Sequence, residues 1–123
     1  MNFAPGCVLK NAGEYGHNFV IVVADAQGDF LLTNWTTVRD ISKCDSACIL
    51  NPGDHPAITR PSYMYYVGSQ VHSAASLLSL VREGNFVPIQ PLSQDVLKRI
   101  QDGARRSRRL KFDLKIKFNL NLP

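Results

Sequence analysis

Nowhere in the sequence do about 18 apolar residues run on without a break, so no segment has the length of a membrane-spanning helix. The opening residues, Met1-Asn2-Phe3-Ala4-Pro5-Gly6, lack the basic stretch and apolar run of a secretion signal, and a cytoplasmic protein without membrane partners is expected. Cysteine is scarce. Cys7, Cys44 and Cys48 form an odd set with no framework spacing, which excludes a disulfide-stapled scaffold and predicts free thiols. Cys44-x3-Cys48 with His55 downstream has neither the four ligands nor the spacing of a structural zinc site, and no metal or cofactor is expected. A glycine-rich phosphate loop, H-E-x-x-H and G-x-S-x-G are all missing. Nucleotide hydrolysis by a phosphate loop, zinc-protease chemistry and serine-hydrolase chemistry lose support accordingly. Internal repeats and low-complexity segments are absent too.

What remains is ordinary globular composition, 45% apolar and 20% charged over 123 residues, enough for one hydrophobic core and no second. The net charge of +4 is unevenly placed. Residues 1–97 hold five Lys/Arg against eight Asp/Glu, whereas residues 98–123 hold nine against two. A mildly acidic body with a basic end can attract a polyanion through that end, or fold the end back onto itself or a partner.

Hydropathy patterning predicts a β-meander followed by helices. Cys7-Val8-Leu9 reads as a short strand, followed by a loop over Asn11–Gly16 whose two glycines can take positive φ. Phe19–Ala24 is a near-continuous β-branched run, as in a strand buried on both faces. Asp25–Asp29 has hairpin composition, and Phe30–Trp35 can return antiparallel. A brief strand at Cys48–Leu50 precedes an irregular loop, Asn51-Pro52-Gly53-Asp54-His55-Pro56, and Ser62–Val67 is a further strand. Ser73 caps a helix that Gly84 ends; Ser93 caps a second, with Val96, Leu97, Ile100 and Ala104 on one face. From Leu110 to Leu122 apolar and polar residues alternate strictly, which predicts a C-terminal extended strand that packs on something, with a neighbouring subunit a serious candidate. The expected fold is therefore mainly β with C-terminal helices, one α+β domain over residues 1–109 and a strand or tail over 110–123.

Pro5-Gly6-Cys7-Val8, the His17-to-Asp25 strand, Asn34-Trp35-Thr36-Thr37 and the Gly53-Asp54-His55-Pro56 loop before Ser62-Tyr63 together resemble the PemK/MazF-like proteins. The resemblance follows the order of elements over roughly residues 5–106, and the Gly-Asp-His-Pro loop is its distinctive part. It implies an SH3-like small barrel, a homodimer, a cognate antitoxin as partner, and metal-independent cleavage of single-stranded RNA by a toxin-like endoribonuclease. The ribose 2′-OH would attack the adjacent phosphorus, a reaction that needs a base, an acid and donors on the phosphoryl oxygens. Where the family shows Arg-Pro before its second strand, this chain has His17-Asn18. A barrel that has lost the chemistry and only binds a peptide, antitoxin or nucleic acid is the alternative.

Each candidate residue also has a plainer reading. His17, at a strand entrance, is a candidate acid or base, or a surface histidine capping a strand. Thr36 falls where the family places a phosphate-contacting hydroxyl, and Ser62 offers another; Thr36 is otherwise a turn former. Asp54 can orient the His55 ring for proton transfer, or it closes a turn while His55 bonds to backbone. Tyr63 and Tyr66 are candidates for stacking on bases, with core packing as the default for strand aromatics. Arg39 can supply positive charge or sit on a solvated turn. Arg105 and Arg106, in the basic run to Lys111, can bind phosphates, or complement the acidic body or an antitoxin.

Overall fold

A computed structural model describes residues 2–13 and 16–121. Glu14 and Tyr15 of the expected loop and Leu122 of the expected strand lie outside the described residues. Seven strands form an antiparallel sheet: β1 (Val8–Asn11), β2 (Asn18–Ala24), β3 (Asp29–Thr37), β4 (Ile49–Leu50), β5 (Ser62–Met64), β6 (Gln70–Ser73) and β7 (Phe86–Ile89). Three helices complete it, α1 (Ala74–Arg82), α2 (Gln94–Arg106) and α3 (Phe112–Lys117). The α+β class is as the patterning predicts, although Phe86–Ile89, which reads as an extended link, is strand β7 between α1 and α2. Among the described residues no helix is long and apolar enough to cross a membrane.

The strand order is β4-β5-β3-β2-β1-β7, with β6 also on β3. The nine-residue β3 organises this arrangement. Its first half pairs with β6, Asp29↔Ser73 through Leu32↔Gln70, and its end pairs with β5, Trp35↔Met64 through Thr37↔Ser62. β2 covers the remaining edge, with a register shift between Ile21 and Val23 that bends it. The β2–β3 turn is closed by Asp25, whose Oδ1 accepts the amides of Gln27 and Asp29, and by Gly28 at φ +84°.

Burial of Phe19 to Val22 on both faces splits the interior into two clusters. On one face Leu9, Phe19, Ile21, Phe30 and Leu32 meet Leu77 of α1 and Phe86 of β7. On the other, Val20, Val22, Leu31, Trp35, Met64 and Tyr66 meet α2 through Val96, Leu97, Ile100 and Ala104. The two predicted caps are present, Ser73 accepting from the Ser76 amide and Ser93 from the Val96 amide. Gly103 is required by close approach: a Cβ there would stand 2.5 Å from the Tyr66 hydroxyl and 2.8 Å from Cys48 Cβ.

Where a C-terminal strand was predicted, Phe112–Lys117 form a short helix. A strict period of two contains a period of four, and Leu110, Leu114 and Phe118, spaced by four, lie before, within and just after that helix. Leu110, Phe118 and Leu120 are buried in the main core, while Phe112 and Ile116, on the opposite side of the turn, are 67% and 52% exposed. Residues 110–120, expected to lie in a separate tail, thus share the core of the sheet and α2. Ser107 starts it: its hydroxyl donates to Asp45 Oδ2 (2.6 Å) and accepts from the amides of Arg109 and Leu110.

The far end is pinned by charge. Lys117 Nζ lies 2.8 Å from Asp25 Oδ2 and 2.9 Å from Asp29 Oδ2. The hydrogen bond from Lys117, then that from the Asp29 amide, holds Asp25 below its ordinary 3.8, and the hydrogen bond to Asp25 raises Lys117 above 10.5. A lowered carboxylate stabilises the fold fully above its unfolded pKa and loses that contribution as pH falls through the folded value; the raised lysine loses its share as pH rises past 10.5. The melting midpoint of Lys117→Met is accordingly expected to lie below wild type by a constant margin between about pH 5 and pH 9, with the margin closing below about pH 4. Thermal melts across that range check it.

Candidate functional site

Where β3 leaves the sheet, three segments enclose a groove of about 330 Å³. Its floor is the end of β3, Trp35, Thr36 and Thr37, with Arg39 beyond. The lead-in to β2, Gly16-His17-Asn18, forms one side, and Ala57–Arg60 with Ser62 the other. The ladder between β3 and β5 sets the relation of the walls, extended by the Val38 amide donating to Pro61 O. His17, Arg39 and Arg60 are exposed, and among the described residues none that lines the groove carries a carboxylate. In a body that is net acidic, this is a local concentration of cationic and hydroxyl donors, suited to an anion.

The groove thus brings together His17, Thr36 and Arg39 but not His55. Among the described residues Arg39 makes no ion pair, and Asp40 Oδ1 accepts from the amide and hydroxyl of Ser42. Ser62 lines the same groove, yet it is 4% exposed and its hydroxyl donates to Arg60 O at 2.9 Å, so it is not free to donate to a phosphate. Asn18 Oδ1 is buried without a hydrogen-bond partner among the described residues, an arrangement that costs about 1–3 kcal/mol unless a donor reaches it.

His55 departs from its expected role as a proton-transfer group. It is 4% exposed, its ring packed on Trp35 at 5.5 Å between centroids. Nδ1 accepts from the Ala57 amide at 3.0 Å and Nε2 donates to Gln90 O, so both nitrogens are occupied by backbone and fix the Nε2–H tautomer. Nor does Asp54 orient that ring. Its carboxylate takes the Asn51 amide at 2.7 Å and Arg99 at 2.9 Å; burial pushes its pKa up, but the Arg99 hydrogen bond and the Asn51 amide outweigh this and hold it below the usual range. The prolines stiffen this loop around a structural histidine. Replacing His55 by alanine should cost about 2–4 kcal/mol, through the lost Trp35 packing and the unpaired Ala57 amide and Gln90 carbonyl. Urea titration of the variant measures it.

Tyr66 is core rather than a stacking platform: 1% exposed, its hydroxyl donates to Ile100 O at 2.7 Å, and burial raises its pKa far above the ordinary value. Tyr63 is half-buried and stands directly across from Thr36 on one face of the sheet. Arg105 pairs with Asp102, and Arg106 donates to Ala47 O; neither lines the groove. Sequence reasoning missed Arg60 and Thr59, whose signal lay in the Arg60-Pro61 step between the histidine loop and β5.

A larger cleft of about 710 Å³ lies at the start of α2, bounded by Asp54, Ser93, Asp95 and Arg99. Its cation is already paired with Asp54 and it carries a further carboxylate, which suits a polyanion poorly. Compared with family models, curated proteins and solved structures, the chain matches none.

Proposed function

We propose that the protein is a PemK/MazF-like, toxin-type endoribonuclease acting on single-stranded RNA in the groove of His17, Thr36, Arg39 and Arg60. One observation carries the reading: a groove lined by an imidazole, two guanidinia and several hydroxyls, with no carboxylate among the described residues that line it. The sharing of β3 between β5 and β6 supports an SH3-like barrel arrangement. In the reaction the ribose 2′-oxygen forms a bond to phosphorus as the bond from phosphorus to the 5′-oxygen breaks. The 2′ proton passes to His17, the departing 5′-oxygen takes a proton from solvent, and Arg39, Arg60 and Thr36 donate to the phosphoryl oxygens where charge develops. A homodimer and an antitoxin protein belong to the same reading.

The test is purified protein with single-stranded RNA in EDTA. Fragments ending in a cyclic phosphate and beginning with a 5′-OH support the proposal; RNA that stays intact overturns it. The occupied His55 ring leaves His17 as the one imidazole in the groove, and this favours a second reading, a module that binds the RNA backbone without cutting it. Saturable binding with no product distinguishes it.

A further inference from the structure

A second cationic hollow, about 370 Å³, lies between the loop 44–47 and the junction of α2 with the tail. Arg106, Arg108 and Arg109 line it. Among the described residues its one carboxylate, Asp45, is buried and engaged by the Ser107 hydroxyl. Arg106 and Arg109 each give one N–H to a loop carbonyl, of Ala47 and Lys43, which fixes their position and leaves the rest of each guanidinium's five donors uncommitted by those bonds. Arg108 is exposed and takes no part in those bonds.

Sheet register connects this hollow to the groove. Thr36, Tyr63 and Ile49 form one cross-strand row over β3, β5 and β4, all on one face. The row begins at a groove residue and ends, about 10 Å away, on the strand that follows the 44–47 loop. Tyr63 stands midway, its ring edge-on to Tyr65 at 6.4 Å, and Tyr65 is 41% exposed. Burial raises the Tyr63 hydroxyl's pKa, reinforced by Cys44 and Tyr65 and opposed by Arg109, so the ring lies within the field of the arginine hollow.

We infer that Arg106, Arg108 and Arg109 form a second phosphate subsite for the same RNA strand that occupies the His17 groove, with a base stacked on Tyr63 between the two. The inference rests on the RNA reading of the groove. Cation, aromatic face and cation in succession match the phosphate–base–phosphate alternation of a single strand, and an acidic polypeptide offers nothing for the aromatic step.

Fluorescence anisotropy with 2′-O-methyl RNA, a dinucleotide and a decanucleotide, tests it without cleavage. For the decanucleotide, the slope of log affinity against log salt should fall by about 0.7 for each of Arg108→Ala and Arg109→Ala, and Tyr63→Leu should weaken binding about ten-fold. Dinucleotide affinity should be the same as wild type in the two arginine variants. An unchanged slope with both probes still bound overturns the second subsite and leaves the groove standing. Equal affinity of the wild type for the two probes does so too, as does arginine-dependent binding of polyglutamate that matches the decanucleotide. No binding of either probe overturns both readings.

Discussion

RNA cleavage by the His17→Ala variant should be slower than wild type by about 10²- to 10⁴-fold, the range removed with a general base, while its melting midpoint stays unchanged. The separation is possible because His17 is exposed at the groove rim and is not part of either core cluster. Surface substitutions of that kind shift stability by no more than about 0.5 kcal/mol. The pairing with His55→Ala is informative: that variant should lose stability first, and activity only as far as the folded population falls. Single-turnover rates at a temperature where both variants are folded decide the matter. A His17→Ala enzyme with the wild-type rate would remove His17 from the reaction.

Chain shortening is the second large effect. A protein ending at Ser107 loses Leu110, Phe118 and Leu120, each 5% exposed or less, from the main core. At about 1.5–3 kcal/mol for each large apolar side chain, the loss is roughly 5–9 kcal/mol, comparable with the whole stability of an ordinary domain. No cooperative thermal transition should remain. Point variants refine the test, because a helix and a strand distribute their cost differently along the same residues. Phe118→Ala should cost about 3–5 kcal/mol, and Phe112→Ala and Ile116→Ala close to nothing. Equal costs along the alternating series would point to a strand with one buried face.

The strands and the first two helices were legible because their signals are local. Phe19–Ala24 could be nothing but a central strand, and Ser73, Gly84 and Ser93 mark helix ends by the hydrogen bonds and φ angles they permit. The tail misled because alternation at two residues and a helical stripe at four fit the same letters; only the core that receives Leu110 and Phe118 chooses between them. In the groove, His17 was found from its place at a strand entrance, Thr36 from the family resemblance and Arg39 from its charge. His55 was misread for a physical reason. A sequence shows that a histidine sits in a stiff loop, but not that a carbonyl 35 residues on, at Gln90, takes its proton. Arg60 was overlooked because its value comes from the groove across from it, not from its neighbours in sequence.

The lodging of Phe118 and Leu120 beneath the sheet also sets a limit on how this protein can be made. During synthesis the sheet emerges well ahead of the residues that complete its core, so a nascent chain holds an unfinished hydrophobic surface until residue 120 has left the ribosomal tunnel. Productive folding is thereby postponed until the residues through Leu120 have emerged and can seat in the core.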